Sequence, residues 1–177
     1  MTRHRLMMAA AALMVAMGTQ SQAERVAIEW VTVGDAGNAA DTEGIDDGAN
    51  AYGAVAYEYR IGKYEVTNSQ YCQFLNAVAA SDPNGLYNPD MGSSTHGGIT
   101  RSGSPGAYTY AVKAGRGANP VNYVSWYDCL RFANWLHNDQ PTGAQSPTTT
   151  EDGAYDMSLG ANVVRKLGSL VGLPSEN

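Results

Sequence analysis

The sequence predicts an α+β domain with two principal helices, short strands and long irregular loops. Two segments carry apolar residues at helical spacing, each directly after a residue that can cap a helix. Several shorter segments alternate apolar and polar residues, which is typical of strands. The segments between them are rich in Gly, Asn, Asp, Ser and Pro, a composition typical of loops.

The first 23 residues have the pattern of a secretory signal peptide. Arg3 and Arg5 supply a positive start, and the apolar run after them is too short to span a bilayer as a mature helix. Ser21-Gln22-Ala23 is a small-x-small cleavage site. We therefore expect a mature chain that begins at Glu24 and is secreted or periplasmic, with no membrane partner after cleavage. The alternative is an uncleaved N-terminal anchor.

Residues 24–177 are predicted to form one domain, because 154 residues remain of the 177 once the 23-residue leader is removed. Cleavage also removes two bases and no acid. The formal charge then moves from −6 to −8, with 9 Lys and Arg against 17 Asp and Glu. An acidic chain does not attract nucleic acid or an anionic membrane, so neither is an expected partner.

Two strands are predicted near the mature N-terminus, over 24–33 and 54–64. The loop between them is acidic, but its acids do not follow the calcium-loop pattern of alternating acids, a glycine and a distant Glu. We therefore favour a solvated loop over a metal site. The acids are Asp35, Asp41, Glu43, Asp46 and Asp47.

The first helix is predicted to start at a capping box formed by Thr67 and Gln70 and to end before Asp82-Pro83. Its apolar face is Tyr71, Phe74, Leu75 and Val78. The polar stretch that follows holds a candidate hairpin, in which residues 98–101 pair with 107–112.

Residues 119–138 predict a short strand running into the second helix. Val121, Tyr123 and Val124 suit an extended segment, Ser125 is a good N-cap, and Asp128 lies where an acid favours the helix dipole. The stripe of this helix is Trp126, Cys129, Leu130, Ala133 and Leu136, widened by Phe132 and Trp135. Pro141 and Gly143 follow it. Short strands are predicted further on, over 154–157 and 161–167.

These motifs together resemble the formylglycine-generating enzyme family, also called the sulfatase-modifying factor domain. The resemblance covers roughly residues 50–177, and its last motif, 173–176, is similar to the family's "LPTE". The other matching segments are 61–71, 74–76, 119–121, 124–128 and 132–136.

The resemblance implies a fold, a C-type lectin-like variant with small twisted sheets, two main helices and much loop. In that family the LPTE motif is a midpoint. We therefore expect this chain to be the N-terminal part of a longer parent, with open strand edges, exposed apolar surface and marginal stability. The alternative is a short variant with a frayed C-terminal end.

The family's activity is the oxidation of a sulfatase cysteine to formylglycine at a copper(I)-binding cysteine pair, and soft thiolates suit copper(I). This chain has only Cys72 and Cys129, and neither matches the catalytic positions. We therefore expect no catalytic, cofactor-binding or metal-binding residue in it. Copper and calcium are implied for a full-length member. A sulfatase or another exported protein is the partner implied for the parent.

Cys72 and Cys129 are a candidate disulfide, because exported chains commonly bond their cysteines and both residues lie in first helical turns. The alternatives are two separate buried thiols and, less favoured, a copper site.

No acid–base partner accompanies His96 or His137 in a recognisable motif. The acids at the strand–helix junction and at helix starts are expected to be structural: Glu65, Asp128 and Glu176. Three tyrosines are candidates for lining a ligand groove, with strand packing as the alternative: Tyr108, Tyr110 and Tyr123.

Two functional hypotheses follow. The first is an exported sulfatase-modifying-factor domain, not catalytic by itself, whose parent oxidises a sulfatase cysteine. The second is a non-catalytic lectin-like module that binds a ligand or another protein.

Overall fold

The computed structural model describes residues 25–41 and 52–174 and has a mixed α+β architecture. The predicted signal peptide, the acids at positions 43, 46 and 47, and the acid at 176 lie outside these ranges. The elements in chain order are β1 (Trp30–Val33), β2 (Tyr59–Gly62), α1 (Asn68–Val78), α2 (Asp90–Ser93), β3 (Ile99–Ser102), β4 (Thr109–Val112), α3 (Trp126–His137) and a 3-10 helix (Met157–Asn162).

Helix α1 has the predicted capping box and the predicted buried apolar face. The Gln70 amide N–H donates to Thr67 Oγ1, and the Thr67 N–H donates to Gln70 Oε1 at 2.8 Å, which closes the capping box. All four residues of the predicted apolar face are buried: Tyr71, Phe74, Leu75 and Val78.

Helix α3 also begins as predicted, with Ser125 and Asp128 forming a second capping box. It packs on α1 through aromatic rings: Phe74 lies 5.3 Å from Phe132 and 5.2 Å from Trp135 between ring centroids. On another side, Leu130 and Ala133 enter a second apolar cluster with residues 154–163. Helix α3 is therefore buried on more than one side.

The position of Trp126 in the buried stripe was predicted wrongly. Its side chain is 52% exposed and packs edge-on against Tyr127. Trp126 is the first helical residue after the N-cap Ser125.

The predicted hairpin is confirmed as β3 and β4, antiparallel, with Ile99 opposite Val112 and Ser102 opposite Thr109. It is held to α1 by Asn76, whose side chain accepts from the Tyr110 N–H at 3.0 Å and donates to the Tyr110 carbonyl at 2.9 Å.

Strands β1 and β2 form a separate antiparallel ribbon and are shorter than predicted. Val31 lies opposite Ile61, and Val33 lies opposite Tyr59. Because directly opposite residues share a face, these four apolar side chains lie on one side of the ribbon. Trp30 lies on the other side of the ribbon, opposite Gly62.

Three strand predictions are wrong. Residues 121–124 are not a strand, because Tyr123 has φ of 60° and breaks the extended run after the isolated bridge between Thr67 and Pro120. Residues 154–157 and 161–167 keep only the bridge between Tyr155 and Arg165, and part of the chain between them is the 3-10 helix. In the described part of the chain, no helix is long and apolar enough to span a bilayer.

Candidate functional site

The described residues form an open apolar groove of about 760 Å³. The ribbon forms one wall, α1 and α3 form the floor, and residues 171–174 form the other wall. Representative lining residues are Trp30, Ile61, Tyr71, Cys129, Phe132 and Leu173. Grooves of this size, lined mainly by apolar side chains, are the usual form of ligand sites.

The N-terminal wall of the groove is fixed by a side-chain clasp. The Val26 N–H donates to Gln140 Oε1 at 2.7 Å, and Gln140 Nε2 donates to the Val26 carbonyl at 2.8 Å. Asp139 and Gln140 reach this position by adopting φ of 69° and 58° directly after α3. Arg25 adds an ion pair with Asp139. The clasp holds Ile28 and Trp30 over the helices.

The rim of the groove is polar and is tied to the loop that follows α2. The Tyr123 hydroxyl lies 2.6 Å from Ser94 Oγ, and Asn122 Nδ2 donates to the His96 carbonyl at 2.9 Å. The Asn122 Oδ1 atom is buried and has no hydrogen-bond partner among the described residues. The left-handed conformation of Tyr123 therefore turns its ring into the groove wall instead of into a sheet.

Tyr71 forms the floor and is locked in place. Its hydroxyl donates to the Leu86 carbonyl at 2.9 Å, and its ring packs on Phe74 and Phe132. Burial raises the pKa of the Tyr71 phenol well above its usual range, and the nearby Asp128 carboxylate acts in the same direction. Tyr71 is therefore a neutral, rigid surface and not an acid or base at neutral pH.

Cys129 lines the groove and is half-buried. Burial raises the pKa of this thiol, and the charge of Asp128 beside it raises it further. Because the thiolate is the reactive and metal-binding form, this position keeps the sulfur protonated at neutral pH.

Asp128 itself is buried and serves the cap of α3. Its Oδ2 atom accepts from the Ser125 N–H at 2.9 Å and from the Ser125 hydroxyl at 2.7 Å. Burial raises the pKa of Asp128 above the usual range of a carboxyl, although these Ser125 donors act to lower it. The structural role expected for this acid is confirmed.

Cys72 lies in a different environment from Cys129. It is buried in the core that α1 shares with β4, and Asn76 Nδ2 lies 3.6 Å from its sulfur. Burial raises the pKa of the Cys72 thiol, against the opposing effect of the Asn76 amide. Both cysteines are free thiols in the structure. The disulfide stays a prediction, and this geometry favours the alternative of two separate thiols.

The described residues do not fit a copper(I) or calcium centre. Cys72 lies in the core beside Asn76 and Cys129 lies at the groove, so the two cysteines do not form the thiolate pair that copper(I) requires. Within residues 25–41 and 52–174, no three His, Cys, Asp or Glu side chains lie close enough together to hold a metal ion.

The two histidines do not join the groove lining. His96 is exposed near Thr95, with its carbonyl bound by Asn122. His137 ends α3 and its Nδ1 atom is buried without a hydrogen-bond partner among the described residues. Glu65 does line the groove, as an exposed carboxylate at its edge.

Of the three candidate tyrosines, only Tyr123 lines the groove. Tyr110, a residue of β4, is buried, and its hydroxyl donates to the Ala79 carbonyl at 2.8 Å. Burial raises the pKa of Tyr110 to about 12. Tyr108 stacks on the Arg101 guanidinium, 4.3 Å from the ring centroid. The packing alternative is therefore confirmed for Tyr110 and Tyr108.

Sequence reasoning missed most of the groove. Ile28, Trp30 and Ile61 were expected only as strand residues, and Val171 and Leu173 only as part of a motif. Gln140 carried no signal, because a glutamine between Asp139 and Pro141 has the composition of an ordinary loop.

Comparison with known proteins gives one family. The model of the sulfatase-modifying factor enzyme 1-like domain matches residues 13–176, nearly the whole chain. No curated protein and no solved structure matches the chain.

Proposed function

This chain belongs to the sulfatase-modifying factor enzyme 1-like family, and from that premise we propose that it is the substrate-docking part of an exported sulfatase-modifying protein. Its groove would receive an extended apolar segment of a sulfatase or another exported protein. The oxidation of a sulfatase cysteine to formylglycine would belong to the parent protein and not to the described residues.

The observation that carries this proposal is the groove of about 760 Å³ with a ribbon as one wall. An extended segment can lie along such a wall, with its side chains on Trp30, Phe132 and Leu173. The two cysteines support the assignment of docking in preference to chemistry, because they lie in separate environments and do not form the pair that copper(I) requires.

The family match supports one finer feature, the lectin-like fold, and the N-terminal sequence pattern supports another, export. We propose that the domain is a C-type lectin-like variant and that it is exported with cleavage after Ala23. The mass of the exported protein tests the cleavage site, with Glu24 as the expected first residue. Measuring that mass without reductant tests the disulfide as well, since two free thiols are 2 Da heavier than one bridge.

Binding is tested with a synthetic sulfatase peptide that contains the target cysteine, and with a control peptide that has serine instead. Trp30 lies in the groove wall and is 40% exposed, so we expect peptide binding to change its fluorescence. The Trp30→Phe variant should lose this signal, whereas Trp126→Phe, outside the groove lining, should keep it. No fluorescence change and no binding by calorimetry at millimolar peptide would contradict the docking function.

Catalysis is tested separately by oxygen uptake and peptide mass after addition of copper(I). We expect no formylglycine from this 177-residue chain, and its formation would refute the assignment of oxidation to the parent. Reading the gene past the codon for Asn177 then shows whether the parent encodes the family's cysteine pair.

The second candidate is a non-catalytic ligand-binding module. The exposed aromatic pair Trp126 and Tyr127, 5.1 Å apart between ring centroids, favours a surface that stacks on a ligand. A parent without a cysteine pair, together with equal binding of the cysteine and serine peptides, would favour this candidate.

A further inference from the structure

A segment with positive charge and no acid adjoins the polar rim of the groove. Residues 91–127 contain two arginines, one lysine and one histidine but no Asp or Glu, although the whole chain has a formal charge of −6. All of these residues lie in the described part of the chain. Arg101 already pairs with Asp82, at 3.4 Å. The two remaining cations are Lys113 and Arg116.

Lys113 and Arg116 are the two ends of one turn, and both side chains reach the same loop. The turn is closed by the Arg116 N–H, which donates to the Lys113 carbonyl at 3.0 Å. Lys113 Nζ donates to the Ser94 carbonyl at 3.0 Å, and Arg116 Nη2 donates to the Thr95 carbonyl at 2.9 Å. Because these two carbonyls belong to adjacent residues, the two charged groups are held close together. We call Lys113, Arg116 and residues 94–96 the basic rim.

Both cations of the basic rim keep their charge and most of their donors. Neither forms an ion pair with a carboxylate in the described part of the chain. An ammonium has three N–H donors and a guanidinium has five, and one backbone carbonyl occupies a single donor of each. A carbonyl has no net charge, so two like charges stay side by side, which is unfavourable unless an anion joins them.

The nearest acids in the chain serve other contacts or stand apart. Asp90 accepts from the Ser93 hydroxyl at 3.0 Å, and Asp128 caps α3. Among the described residues, Glu65 is the one acid that lines the groove, and it has no ion pair with either cation of the basic rim. An acid from another molecule is therefore the matching partner for this charge.

Tyr123 joins the basic rim to the groove. It lines the groove, and its hydroxyl donates to Ser94 Oγ at 2.6 Å, while the Ser94 carbonyl accepts from Lys113. Asn122 also lines the groove, and its Nδ2 donates to the His96 carbonyl at 2.9 Å. An extended chain advances about 3.3 Å per residue, so a polypeptide that leaves the groove past Tyr123 meets the basic rim within a few residues.

We propose that the segment docked in the groove carries an acidic side chain where it passes Tyr123, and that Lys113 and Arg116 bind this carboxylate. The inference rests on the docking function proposed above and narrows the partner to an apolar segment with an acid beyond one end. The apolar part supplies most of the affinity. The acid fixes which end of the segment lies at Tyr123, because charge complementarity determines orientation more than affinity.

The test compares three synthetic peptides that share one short apolar sequence rich in Val and Leu, with both termini blocked. The first has Asp beyond its C-terminal end, the second has Asp beyond its N-terminal end, and the third has Asn at both places. Calorimetry with the exported protein measures each Kd. We expect one of the two Asp peptides to bind about three- to tenfold more tightly than the Asn peptide, as two partly exposed ion pairs allow. Added salt should remove this preference.

Charge variants show whether the basic rim causes the preference. Lys113→Gln and Arg116→Gln should each reduce it, because each removes one charge and keeps a donor for the loop carbonyl. Arg60→Gln is the matched control and should keep the full preference, since Arg60 is exposed in β2, outside the groove lining, and has no ion pair with a described residue. Lys113→Glu should reverse the preference, so that a peptide with Lys in place of Asp binds more tightly.

Circular dichroism verifies the folding of each variant, and Arg116→Glu is the substitute reversal if Lys113→Glu unfolds. Equal binding of all three peptides would overturn this inference and leave the docking function in place. A preference that persists in Lys113→Gln and Arg116→Gln, or that Arg60→Gln reduces as much as they do, would have the same meaning. No binding of any of the peptides would overturn both the inference and the docking function.

Discussion

Replacing Asn134 by alanine should be among the most damaging single changes in this protein. The side chain is fully buried in α3 and makes three hydrogen bonds to the loop after it. Asn134 Nδ2 donates to the carbonyls of Thr150 at 2.8 Å and Tyr155 at 2.9 Å, and Oδ1 accepts from the Tyr155 N–H at 2.8 Å.

The expected loss of folding free energy follows from the backbone groups that would lose their hydrogen bonds. Alanine would leave one buried N–H and two buried carbonyls without partners, and each such group costs about 1–3 kcal/mol. Because the loop can relax and admit water at some of them, we expect about 3–5 kcal/mol. That is a large part of the 5–15 kcal/mol typical of a domain.

Asn138→Ala is the matched control, one helical turn further along. Its Nδ2 atom also donates to two carbonyls, of Thr149 at 3.0 Å and Asp152 at 2.7 Å, but the residue is half-buried. Water can replace these bonds, so we expect about 1–2 kcal/mol. Urea unfolding followed by circular dichroism measures both. A cost for Asn134→Ala no greater than that for Asn138→Ala would refute this reasoning.

Three further predictions concern a pH dependence, a glycine and a thiol. Burial raises the folded pKa of Asp128, so it favours folding below its unfolded pKa and this contribution is lost as pH rises through the folded value. We therefore expect the free energy of unfolding of the unchanged protein to rise, relative to that of Asp128→Asn, on acidification below about pH 5. Identical pH profiles of the two proteins in urea unfolding would contradict this. Gly98→Ala should lower the free energy of unfolding by several kcal/mol, because its Cβ would lie 2.3 Å from the buried Asn68 side chain. Gly106→Ala meets open space and, at φ of 94°, should lower it by only about 1 kcal/mol. Equal shifts of the melting temperature for the two variants would contradict this. Cys129 should react with iodoacetamide slowly at pH 7 and faster as pH rises past 9, and rapid labelling at neutral pH would show a lowered thiol pKa.

The sequence predicted the features that depend on neighbours in the chain. Both capping boxes join residues three positions apart, and the β3–β4 hairpin joins segments separated by one short turn. The local spacing of residues is therefore sufficient to predict both capping boxes and the hairpin. The buried face of α1 followed for the same reason, because Tyr71, Phe74, Leu75 and Val78 repeat at the helical period.

The groove and its polar fastenings depend on contacts that the sequence does not encode locally. Its walls and floor come from residues near 28, 71, 129 and 173, and no periodicity links them. The prediction of a strand at 121–124 was wrong because Tyr123 adopts a left-handed conformation, whereas tyrosine usually favours strands. Asn134 looked like an ordinary polar helix residue, and only the fold shows that the loop at 149–155 crosses it.

The clasp between Val26 and Gln140 joins residues 114 positions apart. Closing a loop of that length costs about 4 kcal/mol of chain entropy, so this contact should form late in folding and open early. Deuterium should then enter the Val26 amide, buried though it is, sooner than the amides at the centres of α1 and α3. When this contact opens, the groove would lose its N-terminal wall while both helices stay intact. The first strand would therefore be the movable wall of the site.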